Sequence, residues 1–219
     1  MKIGIIGAGH IGQAIARLAV RCGHEVKISN SRTPDTLSDI VEQIGCLAGT
    51  AQEAAGFGPV VVVTVPFAKL FQIDPQPLAG KILIDTNNYY PDRDGRFAEL
   101  DTYQTTTSSM VAKHFSRSTI VKAFNAILAT DLKTPTAQPA SGQRRALPIA
   151  GDDANAKRWV EKLQDEFGFD TVDAGPLKDS WRFERAKPAY CIPLDRAGLA
   201  TALAAAERDV ELPHGSWRR

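Results

Sequence analysis

The chain has 219 residues, of which 43% are hydrophobic and 23% charged, the composition of a soluble globular protein with a sizeable core. Its 26 basic and 25 acidic residues leave a formal charge of +1, which excludes a nucleic-acid groove or an anionic membrane surface built on bulk charge. Cys22, Cys46 and Cys191 lie far apart, and neither they nor His10, His24, His114 and His214 show metal-ligand spacing, so reduced thiols, no metal and a cytoplasmic location are expected.

The chain opens MKIGIIGAGH, a short apolar run that meets glycines at once. It is too short for a signal-peptide core or a membrane span, so no targeting segment is expected. Lys2 to Ile6 reads as a strand, and Gly7-Ala8-Gly9-His10-Ile11-Gly12 follows it and opens a helix over Ile11 to Cys22. In that context each glycine has its own task. Gly7 permits a tight turn, Gly9 lets the backbone approach a pyrophosphate, and Gly12 lets the helix pack closely on the strand. The free amides at the helix start face an anion, and at His10 the amide matters more than the imidazole. A glycine-rich turn that binds nothing is the alternative; the flanking strand and helix favour a dinucleotide.

Glu25 to Ser29 is the second strand, and its tip reads Ser29-Asn30-Ser31-Arg32, then Thr33. NAD enzymes place a carboxylate here to hold the adenosine ribose; none is present. A guanidinium beside hydroxyls suits the 2'-phosphate of NADP instead. The plainer reading keeps Arg32 as a solvated loop residue and Ser31 or Thr33 as a cap before Pro34.

Thr36 to Ile44 is helical, Val60 to Val65 a strand, Phe67 to Gln72 a helix, and Ile82 to Ile84 a strand. The continuous apolarity of PVVVVTVP and KILIDT marks central strands buried on both faces. A helix near Ser109 to Phe115, a strand at Thr119 to Ala123, a surface loop over Lys133 to Gln143, and a strand at Arg145 to Ala150 follow. A helix at Asp153 to Phe167, capped by Asp152 or Asp153, a strand at Asp170 to Asp173 and an Ala/Leu-rich helix from Arg196 to Arg208 complete the order. This alternation predicts an α/β fold: a Rossmann-like, doubly wound, mostly parallel sheet. We expect a single domain over 1–219, its nucleotide-binding core spanning about 1–130 and a small C-terminal extension about 131–219.

With GIIGAGHIGQAIA, the SNSR tip, VVVTVPF, DTNNYYPDRDG and VKAFN in this order, the chain resembles the coenzyme F-420-dependent NADP oxidoreductase family, and within it the bacterial branch of NADPH-dependent reductases. The likeness covers most of the chain, is strongest over residues 1 to 130, and extends to WRFERAKPAYC. The amino-terminal part also resembles the NADPH-binding domain of six-transmembrane metalloreductases and the cofactor domain of pyrroline-5-carboxylate reductase. The resemblance implies that Gly7, Gly9, His10, Ile11 and Gly12 hold the pyrophosphate, that Ser31 and Arg32, with Asn30 beside them, take the 2'-phosphate, and that Val65, Pro66 and Phe67 lie along the nicotinamide. Methanogen-type members carry a histidine-containing segment where this chain has Lys122-Ala123-Phe124-Asn125, a departure that bears on the deazaflavin and not on the nucleotide.

Ligands of open parallel sheets bind beyond the carboxyl ends of the strands, which makes Pro66 and Phe67, Thr86 to Asn88, and Phe124 with Asn125 the pocket candidates and adds Asn87 and Asn125 to the candidate cofactor contacts. Each is equally readable as a local turn or cap residue. Lys122 reads as well as a structural ion-pair partner, and Tyr89 and Tyr90 read better as packing residues than as stacking platforms. Arg182, Arg185 and Tyr190 either fold over the ring pocket or form a dimer contact.

No side chain is assigned as an acid or base, since hydride transfer between stacked rings works chiefly through positioning. The expected activity is NADPH-dependent hydride transfer to a flavin, deazaflavin, quinone-like or other small acceptor. A reductase of a small imine or hydroxy acid, and a non-catalytic NADP(H) sensor, are the alternatives. Partners reduce to the small redox acceptor and a second copy of the chain in a homodimer, with no nucleic acid and no membrane.

Overall fold

The computed structural model describes residues 1–133, 139–213 and 215–216. The expected loop over Lys133 to Gln143 thus lies partly outside the described residues. Among those described, eight strands form one sheet: β1 (Lys2–Ile6), β2 (Glu25–Ser29), β3 (Leu47–Gly49), β4 (Val60–Val63), β5 (Ile82–Asp85), β6 (Thr119–Lys122), β7 (Ala146–Gly151) and β8 (Asp170–Asp173). The helices are α1 (His10–Arg21), α2 (Ser38–Ile44), α3 (Ala51–Gly56), α4 (Phe67–Leu70), α5 (Pro91–Asp94), α6 (Ala98–Asp101), α7 (Thr107–His114), α8 (Ala129–Lys133), α9 (Ala154–Glu166) and α10 (Arg196–Ala204).

The strand order is β3-β2-β1-β4-β5-β6-β7-β8, parallel from β3 to β6. β7 runs antiparallel to β6 and carries β8 parallel to itself, so the sheet extends past the Rossmann-like half on reversed strands. The order reverses between β1 and β4, and the crevice at such a switch point is where ligands of open α/β sheets bind.

Strand alternation divides the core. Val60 and Val62 of β4 point into one apolar layer with Ile3, Ile5 and the buried face of α1, whereas Val61 and Val63 point into the other with Leu83, Phe67 and Phe115. All four valines are buried, each removal from water stabilising the fold by about 1.5–3 kcal/mol. A third cluster joins Ala126, Ala146 and Ala150 to Phe183, Tyr190 and Leu199, which anchors the C-terminal third on β7.

Local signals fix several helix ends. Asp153, and not Asp152, caps α9 by accepting from the Ala156 amide at 2.7 Å, while Asp152 accepts from the Leu177 amide at 3.0 Å. Asp195 caps α10 through the Gly198 amide at 2.8 Å. α10 ends at Ala204, short of the expected Arg208, because the chain beyond it is held by other groups: Lys187 Nζ donates to the carbonyls of Glu207, Arg208 and Val210.

Candidate functional site

The glycine turn is built by contact between β1 and β4. Gly7 has φ +114°, and a Cβ there would meet the Thr64 backbone at 2.7–2.8 Å, so glycine is required. Thr64 Oγ1 donates to the Gly7 carbonyl at 2.6 Å, and that carbonyl occupies the place where a Gly12 Cβ would sit. Gly9 differs. It is the exposed N-cap of α1 in ordinary extended geometry, φ −72° and ψ −176°, and a Cβ added to it meets nothing within 4 Å. Its glycine answers no demand of the fold. His10 is exposed at the first helical position, with Ile11 half-buried behind it.

At the end of β2, the Asn30 side chain is committed to the loop. Its Oδ1 accepts from the Arg32 amide at 2.8 Å, and its Nδ2 donates to Thr36 Oγ1 at 2.9 Å. Ser31 and Arg32 are thereby presented outward. Thr33 is the extended N-cap of the 3-10 turn Pro34–Leu37 but makes no side-chain cap bond, so the capping role considered for it is unfilled. A cavity of about 730 Å³ joins Gly7 and Gly9 to Ser31, Arg32 and Pro66, and among the described residues no carboxylate lines it. Lys69 of α4 lines the same cavity and adds a second cation. Sequence gave no signal for it, since a lysine on a short surface helix is ordinary.

The trough continues across Gly9, Thr64, Val65 and Pro66 into a second cavity of about 410 Å³. Asn87, Asn88, Phe124 and Asn125 form its floor, and Tyr90, Arg93, Tyr190 and Cys191 close it. Phe67 does not share this wall. As the first residue of α4 its ring turns into the apolar layer, fully buried and edge-on to Phe71 and Phe97 at 5.2 Å each, so of the VPF turn only Val65 and Pro66 face the trough.

The asparagines are held from behind. Asn87 donates to Asp85 Oδ1 from its amide at 2.9 Å and from Nδ2 at 2.7 Å. Asn88 Nδ2 donates to the Asn125 carbonyl at 2.9 Å, and Asn125 Nδ2 donates to Asn88 Oδ1 at 3.1 Å and to the Phe183 carbonyl at 2.9 Å. Asn125 Oδ1 is buried with no hydrogen-bond partner among the described residues. Lys122, fully buried, donates to the Asn87 carbonyl and to Thr107 Oγ1, both at 2.8 Å. Glu184 Oε1 accepts from Thr107 Oγ1 at 2.6 Å, so the C-terminal segment is tied to the strand ends through this buried group.

The closing wall comes from far along the chain. Phe124 and Cys191 both adopt left-handed φ of +58°, a geometry costing a non-glycine residue about 1–3 kcal/mol, and the Cys191 amide donates to the Ala126 carbonyl at 3.1 Å. Of Arg182, Arg185 and Tyr190, only Tyr190 lines the cleft; Arg182 stacks on Trp181 at 4.6 Å, and Arg185 pairs with Glu211 at 3.1 Å beside a separate cavity. Burial pushes the Cys191 thiol up to about 12, so it stays protonated and un-nucleophilic near neutrality. Among the described residues no cluster could hold a metal ion, and no helix is long and apolar enough to cross a membrane.

Residues 2–89 match the family model described as NADP oxidoreductase, coenzyme F420-dependent. Metalloreductase STEAP3 of Rattus norvegicus is 31% identical over 200 residues, an alignment that covers 88% of this chain and 38% of that protein. The chain therefore spans well under half the length of that relative. A hypothetical protein from Sinorhizobium meliloti superposes with a TM-score of 0.76 at 27% identity, covering 90% of this chain and 96% of that one. A protein of Arthrobacter sp. FB24, provisionally assigned as an F420-dependent NADP-reductase, gives 0.71 at 26% identity over 82% and 87% of the two chains. The glycine turn, the acid-free strand tip and the β4 end all fall inside residues 2–89, the segment similar to the family of coenzyme F420-dependent NADP oxidoreductases.

Proposed function

We propose that this protein is an oxidoreductase that binds NADP(H) along the trough and passes a hydride to a small planar acceptor of flavin, deazaflavin or quinone type. The observation that carries the reading is the cavity joining the glycine turn to Ser31, Arg32 and Lys69, with no carboxylate among the described residues that line it. A 2'-phosphate there meets two cations and a hydroxyl, whereas the ribose diol of NAD finds no acid to hold it.

The residues present fit the nucleotide. Open space over Gly9 leaves room for a pyrophosphate against the backbone of Gly9, His10, Ile11 and Gly12, with Gly7 shaping the turn. Asn30 orients the loop that offers Ser31 and Arg32. Val65, Pro66, Asn87 and Asn125 border the nicotinamide end. When bound, the nucleotide supplies the hydride. The protein's own part is to hold two rings at a set distance and exclude water, with positioning as the main effect. Tyr190 and Cys191 border the same cleft as Gly9, so we take residues 1–219 to act as one unit.

Calorimetric titration with NADPH and NADH tests the cofactor, and turnover of NADPH with FMN, FAD, a deazaflavin and quinones tests the activity. Saturable NADPH binding, much tighter than NADH, with oxidation by at least one acceptor is the expected result. Equal affinities remove the NADP assignment, and binding without turnover makes the protein a nucleotide sensor.

A further inference from the structure

Two phenols close the acceptor end of the cleft. Tyr90 and Tyr190 meet hydroxyl to hydroxyl at 2.5 Å, although 100 residues separate them in sequence, and both line the cavity. The Tyr90 ring has the Arg93 guanidinium at 4.7 Å and that of Arg185 at 5.9 Å. Among the described residues that line this cavity there is no Asp, Glu, His or Lys. Ile11, Pro66, Ile127 and Leu128 make much of the remaining wall apolar. A cavity of this kind takes a flat, largely apolar molecule, and the groups in it able to yield a proton are the two phenols and the Cys191 thiol.

Resting on the reading above of a hydride-transferring reductase, we infer that Tyr90 is the catalytic proton donor, that Tyr190 is its positioning partner, and that the acceptor is a conjugated carbonyl compound of quinone type. A quinone differs from a one-electron acceptor in what it requires. As a hydride bonds to it, the carbonyl π pair moves onto oxygen, and that oxygen must gain a proton. The Tyr90 O–H bond breaks to form the new O–H bond of the acceptor. The phenolate left on Tyr90 accepts a hydrogen bond from the Tyr190 hydroxyl and then recovers a proton from water. The acceptor gains one hydride and one proton, and the nicotinamide nucleotide is the reductant.

The division of labour between the phenols follows from their surroundings. Tyr190 is 5% exposed, and burial, the nearby Cys191 and the Tyr90 contact all raise its pKa, so it remains a hydroxyl throughout. Tyr90 is half-buried, with the Arg93 and Arg185 guanidinium groups against its ring and its hydroxyl at the cleft. In the proposed mechanism Tyr190 donates to Tyr90 Oη across their 2.5 Å contact, which would turn the Tyr90 proton toward the cleft.

The test uses the full chain, NADPH and a water-soluble naphthoquinone. Tyr90→Phe should lower kcat by about 10²–10⁴-fold, the usual contribution of a positioned acid, while NADPH affinity measured by calorimetry is unchanged. The wild type should turn over more slowly in D2O, and that solvent isotope effect should disappear in Tyr90→Phe. Tyr190→Phe should lower kcat less and keep the isotope effect. A Tyr90→Phe protein that retains both quinone turnover and the isotope effect overturns the proton-donor role. Wild-type protein that binds NADPH yet reduces flavins and no quinone overturns the acceptor class while leaving the nucleotide reading in place, and failure to bind NADPH ends both.

Discussion

Asp85 and Lys122 occupy paired positions on β5 and β6, both fully buried, yet their charged atoms stand 3.6 Å apart. Ser108 joins them, its hydroxyl donating to Asp85 Oδ2 at 2.5 Å and accepting from Lys122 Nζ at 3.1 Å. Glu184 approaches the same ammonium at 3.8 Å. A buried charge without its partner is expensive, whereas removing both partners together is often tolerated. Lys122→Met should therefore cost about 3–5 kcal/mol in urea unfolding, and adding Asp85→Asn should restore part of that loss. A single variant within the noise of wild type would mean that the network adds nothing to stability. Because Lys122 also holds the Asn87 carbonyl, the single variant should weaken nucleotide binding as well.

The glycines of the turn separate into those the fold needs and one it does not. Gly12→Ala puts a methyl group on the Gly7 carbonyl and should lower the melting temperature. Gly9→Leu enters open space in a conformation any residue adopts, so stability should stay within about 0.5 kcal/mol of wild type, as for most surface changes. Nucleotide binding should nonetheless vanish, because the added side chain would fill the place proposed for the pyrophosphate. Thermal melts beside calorimetric titrations of both variants check the contrast. Undiminished binding by Gly9→Leu would move the pyrophosphate elsewhere.

Cofactor choice should follow Arg32. Arg32→Ala should weaken NADPH by about 1.5–3 kcal/mol, the range for a hydrogen bond to a charged group, and leave NADH almost unchanged. Lys69→Ala should act in the same direction but less, since a flexible ammonium is a point charge without the paired donors of a guanidinium. Equal losses for both nucleotides would show that neither side chain reads the 2'-phosphate.

Much of this architecture was legible because it rests on local rules. VVVV is apolar throughout because both faces of β4 are covered, and the turn glycines announce their geometry through spacing. β3 was missed: Leu-Ala-Gly is three residues long, and Leu47 is 52% exposed, so neither periodicity nor burial marks it. The reversal at β7 leaves no mark in composition, since an apolar strand reads alike in either direction. The rule about strand ends put Phe67 in the pocket alongside Asn87 and Asn125, and the structure turns its ring away from the trough. The rule locates a backbone, and the direction of a ring is decided by which layer the next helix packs against. Tyr90 and Tyr190 meet although 100 residues separate them, and Phe124 and Cys191 adopt left-handed turns; no residue type in the sequence signals either feature.

Acid should expose the contribution of Asp94. Its carboxylate is fully buried, which by itself would raise its pKa, but Arg93 donates to it from Nε at 3.0 Å and Nη2 at 2.7 Å, and the amides of Tyr90 and Ala68 add bonds at 3.0 and 3.4 Å. These donors prevail and hold the carboxyl below its usual range. A pKa lowered by folding adds stability that is complete above the unfolded value, about 3.9 for aspartate, and that fades as the pH falls through the folded value. Asp94→Asn should thus be less stable than wild type near neutrality, and the gap should narrow steadily once the pH drops below about 4. Urea midpoints of the two proteins between about pH 2 and 6 measure it, and a gap that does not change with pH would assign the loss to packing alone. Because the Tyr90 amide is one of the four donors, the same substitution should also loosen the phenol at the cleft mouth and raise KM for the acceptor, with NADPH affinity unaltered.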